Sequence, residues 1–149
     1  MINQRPTTND QRPIKAVGLI SGGLDSLLAT RLIKEQSIDV SGIHFSLPWG
    51  CGSLLQAEQS ARQADIPLKI IPAGEDFLAL LKNPKFGYGS AINPCIDCHV
   101  HMIQKAAEYM REINAHFVFT GEVLGQRPMS QLRNSLRAVE KNCGIEGLL

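Results

Sequence analysis

The 149-residue sequence predicts an α/β domain with a mostly parallel sheet flanked by helices. Three observations predict it. Short apolar runs alternate with longer stretches patterned for amphipathic helices, which is the rhythm of βαβ units. The first apolar run passes through a Gly-Gly turn straight into a helical pattern. The balance of 44% hydrophobic and 19% charged residues is that of a globular domain, and a chain of this length buries roughly 70% of its unfolded surface.

The elements follow in order. Residues 1–14, polar and Pro-containing, read as a flexible arm, and one domain runs over 15–149. A strand is expected at 16–20 and a helix at 25–36, with Leu27, Leu28, Leu32 and Ile33 on its apolar face. A strand at 40–45, a helix at 53–64, a strand at 68–71 and a short helix at 75–81 come next. Residues 83–94 are rich in Asn, Pro and Gly, and loops this long inside compact domains are usually functional or disordered. Beyond it lie a helix at 96–113, a strand at 116–119, a loop at 120–128 and a last helix at 130–141. Leu132, Leu136 and Val139 mark the core face of that helix, with Arg133 and Arg137 one turn apart on another.

Composition narrows the classes. A net charge of +1 makes no case for a nucleic-acid partner, so any such surface is a local patch. Arg127, Arg133, Arg137 and Lys141 form the best one, which is equally the pattern of a solvated helix face. No apolar run approaches the roughly 20 residues of a membrane span. The polar start has no apolar signal region, so a cytoplasmic protein with no membrane partner is expected. Four cysteines are too few for a disulfide scaffold, and in a reducing compartment they are thiols, metal ligands or catalysts.

Two motifs carry chemistry. The first is Ser21-Gly22-Gly23-Leu24-Asp25-Ser26, between the first strand and the first helix. Backbone N–H groups in such a turn, with the helix dipole behind them, form an anion site. Ser21 and Ser26 add hydroxyl donors, and Asp25 either caps the helix or helps hold Mg²⁺. Neither GxxxxGK[ST] nor GxGxxG occurs. The second motif is Cys95-Ile96-Asp97-Cys98-His99, whose spelling is shared by haem attachment, zinc sites, redox dithiols and iron–sulfur or sulfur-transfer centres. A helix start bearing two packed thiols is the plainer reading.

SGGLDS resembles the pyrophosphate loop of the PP-loop ATPases, the adenine nucleotide α-hydrolase-like fold that cleaves ATP between its α- and β-phosphates. Asn93-Pro94-Cys95-Ile96-Asp97-Cys98 is similar to the NPCxxC segment of tRNA 2-thiouridylases. Thr120-Gly121-Glu122 stands where those enzymes carry a TGH-type turn, and GEVLGQRPMSQ resembles a thiouridylase-like or 4-thiouridine-synthase-like branch. His99 replaces the family's Asn, and Glu122 replaces its His. The resemblance implies an enzyme that adenylates a tRNA uridine carbonyl with ATP and Mg²⁺ and then inserts sulfur. It implies ATP contacts from Ser21, Gly22, Gly23, Leu24, Asp25, Ser26, His44, Phe45, Thr120 and Gly121. Asp25, Cys95 and Cys98 take the catalytic roles. Sulfur arrives from a donor protein or as sulfide, through a persulfide on Cys95 or Cys98 or through a [4Fe–4S] cluster on Cys95, Cys98 and Cys51. Such enzymes continue beyond the position of Leu149, so a further C-terminal domain or a homodimer is expected. The rivals are a PP-loop ligase acting on a small molecule and a non-catalytic zinc module.

Overall fold

The computed structural model describes residues 13–47, 52–88, 94–126 and 131–149. Residues 1–12 of the arm, Trp49, Cys51, Asn93 and Arg127 lie outside them. In chain order the elements are β1 (Lys15–Leu19), α1 (Leu24–Lys34), β2 (Asp39–Ser46), α2 (Leu54–Ala64), β3 (Leu68–Pro72), α3 (Glu75–Lys82), α4 (Cys95–Glu112), β4 (Phe117–Phe119) and α5 (Arg133–Asn142). The expected α/β architecture is therefore the one observed.

All the strands run parallel, in the order β3-β2-β1-β4. Val17 of β1 sits opposite Ser41 on one side and Val118 on the other. Neighbouring side chains of a strand point to opposite faces, and Ala16 and Val17 are both fully buried, so the sheet is covered on both sides. The chain steps outward from β1 to β3, then returns to the other side of β1 to lay down β4. Right-handed crossovers then place α1 and α2 on one face and α3 and α4 on the opposite one. Accordingly α1 packs on α2, while α4 lies on β1 and β4 and holds α3 and α5.

The main core lies under α4. Val17, Ile43, Phe45 and Val118 of the sheet meet Ile103, Ala106, Ala107 and Met110 of α4, with Val139, Cys143 and Ile145 closing it. Each fully buried Val, Ile or Met there contributes roughly 1.5–3 kcal/mol. The opposite face is thin. Helix α2 offers it Ala57, Ala61 and Ala64, small side chains at i, i+4 and i+7 that let backbones approach.

Two helix faces differ from the sequence expectation. In α1 the buried residues are Ser26 and Thr30, whereas Leu28 and Leu32 are 47% and 61% exposed. The side of α1 that meets its neighbours therefore carries small hydroxyl side chains. Both hydroxyls are satisfied within the helix, Ser26 Oγ donating to Gly23 O at 2.9 Å and Thr30 Oγ1 to Ser26 O at 2.8 Å. In α5 the helix begins three residues late, which leaves Leu132 outside it as an exposed N-cap, and Val139 is the residue that reaches the core.

Candidate functional site

The strand order places a topological switch point between β1 and β4. In open parallel sheets, ligands bind outside the carboxyl ends of the strands at such a point. A cleft of about 600 Å³ opens there. Ser21, Gly23, Asp25 and Ser26 line it from the turn after β1, and His44 and Phe45 from β2. Cys95, Cys98 and His99 enter from the first turns of α4. Thr120, Gly121 and Glu122 come from the turn after β4, and Gln131 from the approach to α5. Two expected residues do not line the cleft: Gly22 is a hinge of the turn, and Leu24 is 67% exposed.

The turn after β1 is built for an anion. Gly22 has φ +90°, and a Cβ there would meet the Ala57 backbone nitrogen at 2.7 Å, so glycine is required twice over. Gly23 N–H donates to Ser21 Oγ at 3.2 Å, and the Ser21 and Ser26 hydroxyls lie 3.3 Å apart. The N-cap of α1 is Gly23, in extended conformation, and no side chain caps the helix. Asp25 is therefore not a cap. It sits exposed in the first turn, facing the cleft. An uncapped N-terminus on an 11-residue helix leaves backbone donors and the positive dipole end for a ligand. The turn after β4 presses on this loop: a Cβ on Gly121 would lie 2.5 Å from Ser26 N.

His44 is 2% exposed, and its Nδ1 donates to Ile20 O at 2.7 Å. The carbonyl fixes the proton on Nδ1 and ties the end of β2 to the entrance of the anion loop. Phe45 serves both as cleft wall and as core.

Helix α4 begins at Cys95 after Pro94, and no side chain caps it. Cys95 is half-buried and Cys98 buried, at i and i+3, which aligns the two thiols on one face. Asp97 between them was assigned no role by sequence. It is 7% exposed, and its two carboxylate oxygens accept the backbone N–H groups of Lys85 and Phe86, each at 2.9 Å. The first turn of α4 is thereby bolted to residues 85–86. Asp97→Ala is expected to cost about 3 kcal/mol, since two charge-assisted bonds are lost. At this chain length that lowers Tm by roughly 10 °C. A thermal melt at wild-type temperature would refute the clamp.

Among the described residues, no three His, Cys, Asp or Glu side chains converge on a metal-binding arrangement. Cys51, the third expected cluster ligand, lies outside those residues. Cys143 is a core residue, with its thiol donating to Glu140 O at 3.0 Å. His99 Nδ1 lies 2.9 Å from Glu122 Oε1, joining the first turns of α4 to the turn after β4.

Further along α4, His101 faces Asp76 at 3.7 Å and packs on the Phe77 ring. Burial holds its pKa below 6.5; Asp76 and Glu108 oppose this, and Lys105 reinforces it. Lys105 is raised by its bonds to Asp76 and Glu108. Desolvation pushes the Asp76 carboxyl up, but the Phe77 N–H, Lys105 and His101 together hold it below its ordinary value. As pH falls through 6.5, the unfolded chain takes up the His101 proton before the folded one does. Stability is therefore expected to drop from pH 7 toward pH 5, and His101→Gln to flatten that part of a Tm-against-pH curve. An equally steep slope in the variant would rule His101 out.

No family model matches the chain. The tRNA-specific 2-thiouridylase MnmA of Desulfosudis oleivorans is 33% identical over 117 residues, covering 73% of this chain and 32% of that protein. The enzyme of the same name from Clostridioides difficile is 31% identical over 123 residues, covering 68% of this chain and 33% of its own length. Among solved structures, a 4-thiouridine synthetase in complex with RNA and bound ATP superposes with a TM-score of 0.66 and 24% identity, over 85% of this chain and 34% of that one. An NMN synthetase from Francisella tularensis superposes with a TM-score of 0.55 and 16% identity, over 69% of this chain and 43% of that one.

The chain belongs to the PP-loop ATPase superfamily.

This PP-loop domain spans about a third of the length of the curated relatives it matches. No helix among its described residues is long and apolar enough to cross a membrane. The two positions at which it departs from the thiouridylase pattern, His99 and Glu122, are the two that touch each other. They are one feature of the PP-loop domain, and sequence had presented them as two unrelated exceptions.

Proposed function

We propose that this PP-loop domain activates a tRNA uridine carbonyl with ATP and replaces its oxygen by sulfur. One juxtaposition supports this most: an open anion loop, a Thr-Gly turn and two cysteines line the same cleft. The uridine oxygen attacks the α-phosphorus, the bond to pyrophosphate breaks, and the adjacent ring N–H gives up its proton. Sulfur then adds at the activated carbon and AMP leaves. Ser21, Gly23, Ser26 and the α1 N-terminus hold the departing pyrophosphate as its charge develops. Asp25 is placed to hold Mg²⁺ beside it. His44 ties β2 to the turn after β1, and Phe45 walls the nucleotide side.

Cys95 and Cys98 serve the sulfur step. A [4Fe–4S] cluster on them and Cys51 would supply sulfide; otherwise one of the two carries a persulfide received from a donor protein, its outer sulfur bonds to the activated carbon as AMP leaves, and the thiol of the other cysteine breaks the remaining S–S bond, which leaves a Cys95–Cys98 disulfide to be reduced before the next turnover. An RNA partner accords with the relatives' name and with Arg133, Arg137 and Lys141, exposed at i, i+4 and i+8 along α5. These suit phosphate contacts. Leu24, Leu28 and Leu32 form an exposed stripe on α1 that a second copy or a further domain would cover.

The test is anaerobic incubation with labelled ATP, Mg²⁺, unmodified tRNA and sulfide, followed by assay of AMP and thiouridine. Both products are expected, and Asp25→Asn should remove both. AMP made without any RNA would instead favour a small-molecule ligase. Zinc at the cysteines with no nucleotide affinity would favour the non-catalytic module.

A further inference from the structure

A second cavity, of about 170 Å³, lies beside the cleft, between the carboxyl ends of β2 and β3 and the helices α3 and α4. Phe45 and Met102 line both spaces, so the two share a wall. The lining is mostly apolar, and three polar side chains join it from α3 and α4: Asp76, His101 and Lys105. A ligand can reach all three, since their side chains are 51%, 15% and 31% exposed. Each has bonding capacity left over. Asp76 Oδ1 accepts the Phe77 N–H at 2.9 Å and Oδ2 faces Lys105 Nζ at 3.3 Å, while Lys105 also reaches Glu108 at 3.4 Å. A carboxylate accepts about four bonds and an ammonium donates about three. His101 Nε2 is 3.7 Å from Asp76 Oδ2, beyond hydrogen-bonding distance, and among the described residues neither ring nitrogen has a hydrogen bond.

These features select the occupant. Asp76 and Glu108 answer Lys105, and burial disfavours the charged form of His101, so no excess positive charge attracts a phosphate or a carboxylate. Apolar walls with donors and acceptors along one edge suit a neutral, flat heterocycle. A cavity of about 150 Å³ takes a benzene ring, so this one takes a single planar ring of similar size.

We infer that this cavity takes a second pyrimidine base of the RNA, the neighbour of the target uridine, splayed out across the wall of Phe45 and Met102. The inference rests on the function proposed above and adds a specificity site to it. Single-stranded RNA is read in this way, by bases unstacked onto aromatic side chains and hydrogen-bonded at their edges. Asp76 accepts the N–H or amino group of the base, and Lys105 donates to the adjoining carbonyl. A wall made of single side chains is short enough for neighbouring nucleotides to straddle. Holding the neighbour also positions the target, because one phosphodiester joins the two.

The test measures binding directly. A fluorescent uridine trinucleotide, and versions of it lacking the base at the 5′ or the 3′ residue, are titrated into the full chain with Mg²⁺ and a non-hydrolysable ATP analogue. One of the two abasic forms is expected to bind about tenfold more weakly than the intact trinucleotide, the worth of one stacked base. Ala73 lines the cavity, and Ala73→Leu fills it. That variant should bind the intact trinucleotide no better than the weaker abasic form, with ATP affinity unchanged. Lys105→Met keeps the stem of a partly exposed side chain and removes its donor, and should narrow the preference severalfold; it decides the matter if the leucine variant does not fold. The inference is overturned if the wild type binds no trinucleotide, if neither abasic form binds more weakly, or if the full preference survives in either folded variant. It is overturned equally if Ala73→Leu weakens ATP binding, which would put the adenine in this cavity. AMP and thiouridine formation from tRNA by the wild type are scored separately. The second-base site can thus fail while thiolation stands, and the reverse.

Discussion

Gly121→Ala is expected to weaken nucleotide binding by about a hundredfold while leaving most of the sheet folded. The added Cβ would lie 2.5 Å from Ser26 N, 2.6 Å from Ser26 Cα and 2.7 Å from the Asp25 carbonyl carbon. These are backbone atoms of the anion loop, and no side-chain rotation relieves the clash. Overpacking of this kind costs roughly 1–3 kcal/mol. Relief requires the turn after β4 and the start of α1 to separate by something on the order of an ångström, a displacement that typically costs about a hundredfold in a positioned site. Gly23→Ala is the instructive companion. Gly23 has φ −81°, and its added Cβ would meet nothing closer than Ser21 Oγ at 3.5 Å. The protein alone accommodates that methyl, so any loss of ATP affinity would come from the ligand's own approach. Calorimetric titration with MgATP and a thermal melt read both variants. Wild-type ATP affinity in Gly121→Ala would show that the two turns need not touch for the site to work.

Cys98→Ser is expected to leave RNA-dependent conversion of ATP to AMP intact and to reduce thiouridine formation by at least about a hundredfold. The substitution nearly conserves shape at a site only 9% exposed, and the anion loop is formed by other elements. What it removes is the sulfur nucleophile or ligand. Cys95, one turn earlier on the same helix face, should behave alike. Iron and acid-labile sulfide measured anaerobically on each protein decide the route. Their presence in the wild type and loss in the variants would indicate a cluster. A wild type without iron, bearing a trappable persulfide, would indicate direct transfer. Thiolation at the wild-type rate in both variants would reduce the pair to packing residues of a helix start.

Much of the architecture was legible along the chain. The alternation of apolar runs and amphipathic stretches is a local property, so the strands and helices lie within a few residues of where the pattern put them. The hexapeptide Ser21 to Ser26 was legible for the same reason. A Gly-Gly turn between a strand and a helix N-terminus is a pattern of a few neighbouring residues, and no side chain caps the helix there. The face of α1 was not legible. Four large apolar residues outvote Ser26 and Thr30 in any periodicity count, yet it is Ser26 and Thr30 that are buried, and at Ser26 the backbone of Gly121 comes up against that of the helix. Asp97 was missed because its partners, the N–H groups of Lys85 and Phe86, carry no side-chain signature.

Residue order thus dictated the elements, the anion turn and the pairing of thiols on one helical turn, since each depends on contacts spanning a few residues. Packing across the sheet decided the rest. The return of the chain to the far side of β1 is what brings Thr120 and Gly121 against a loop nearly a hundred positions earlier. That return also joins His99 to Glu122 and buries the Gln131 amide in the cleft wall. These are long-range consequences of strand order, and strand order is set by which faces bury together and by crossover handedness, neither of which is written in any short stretch of sequence.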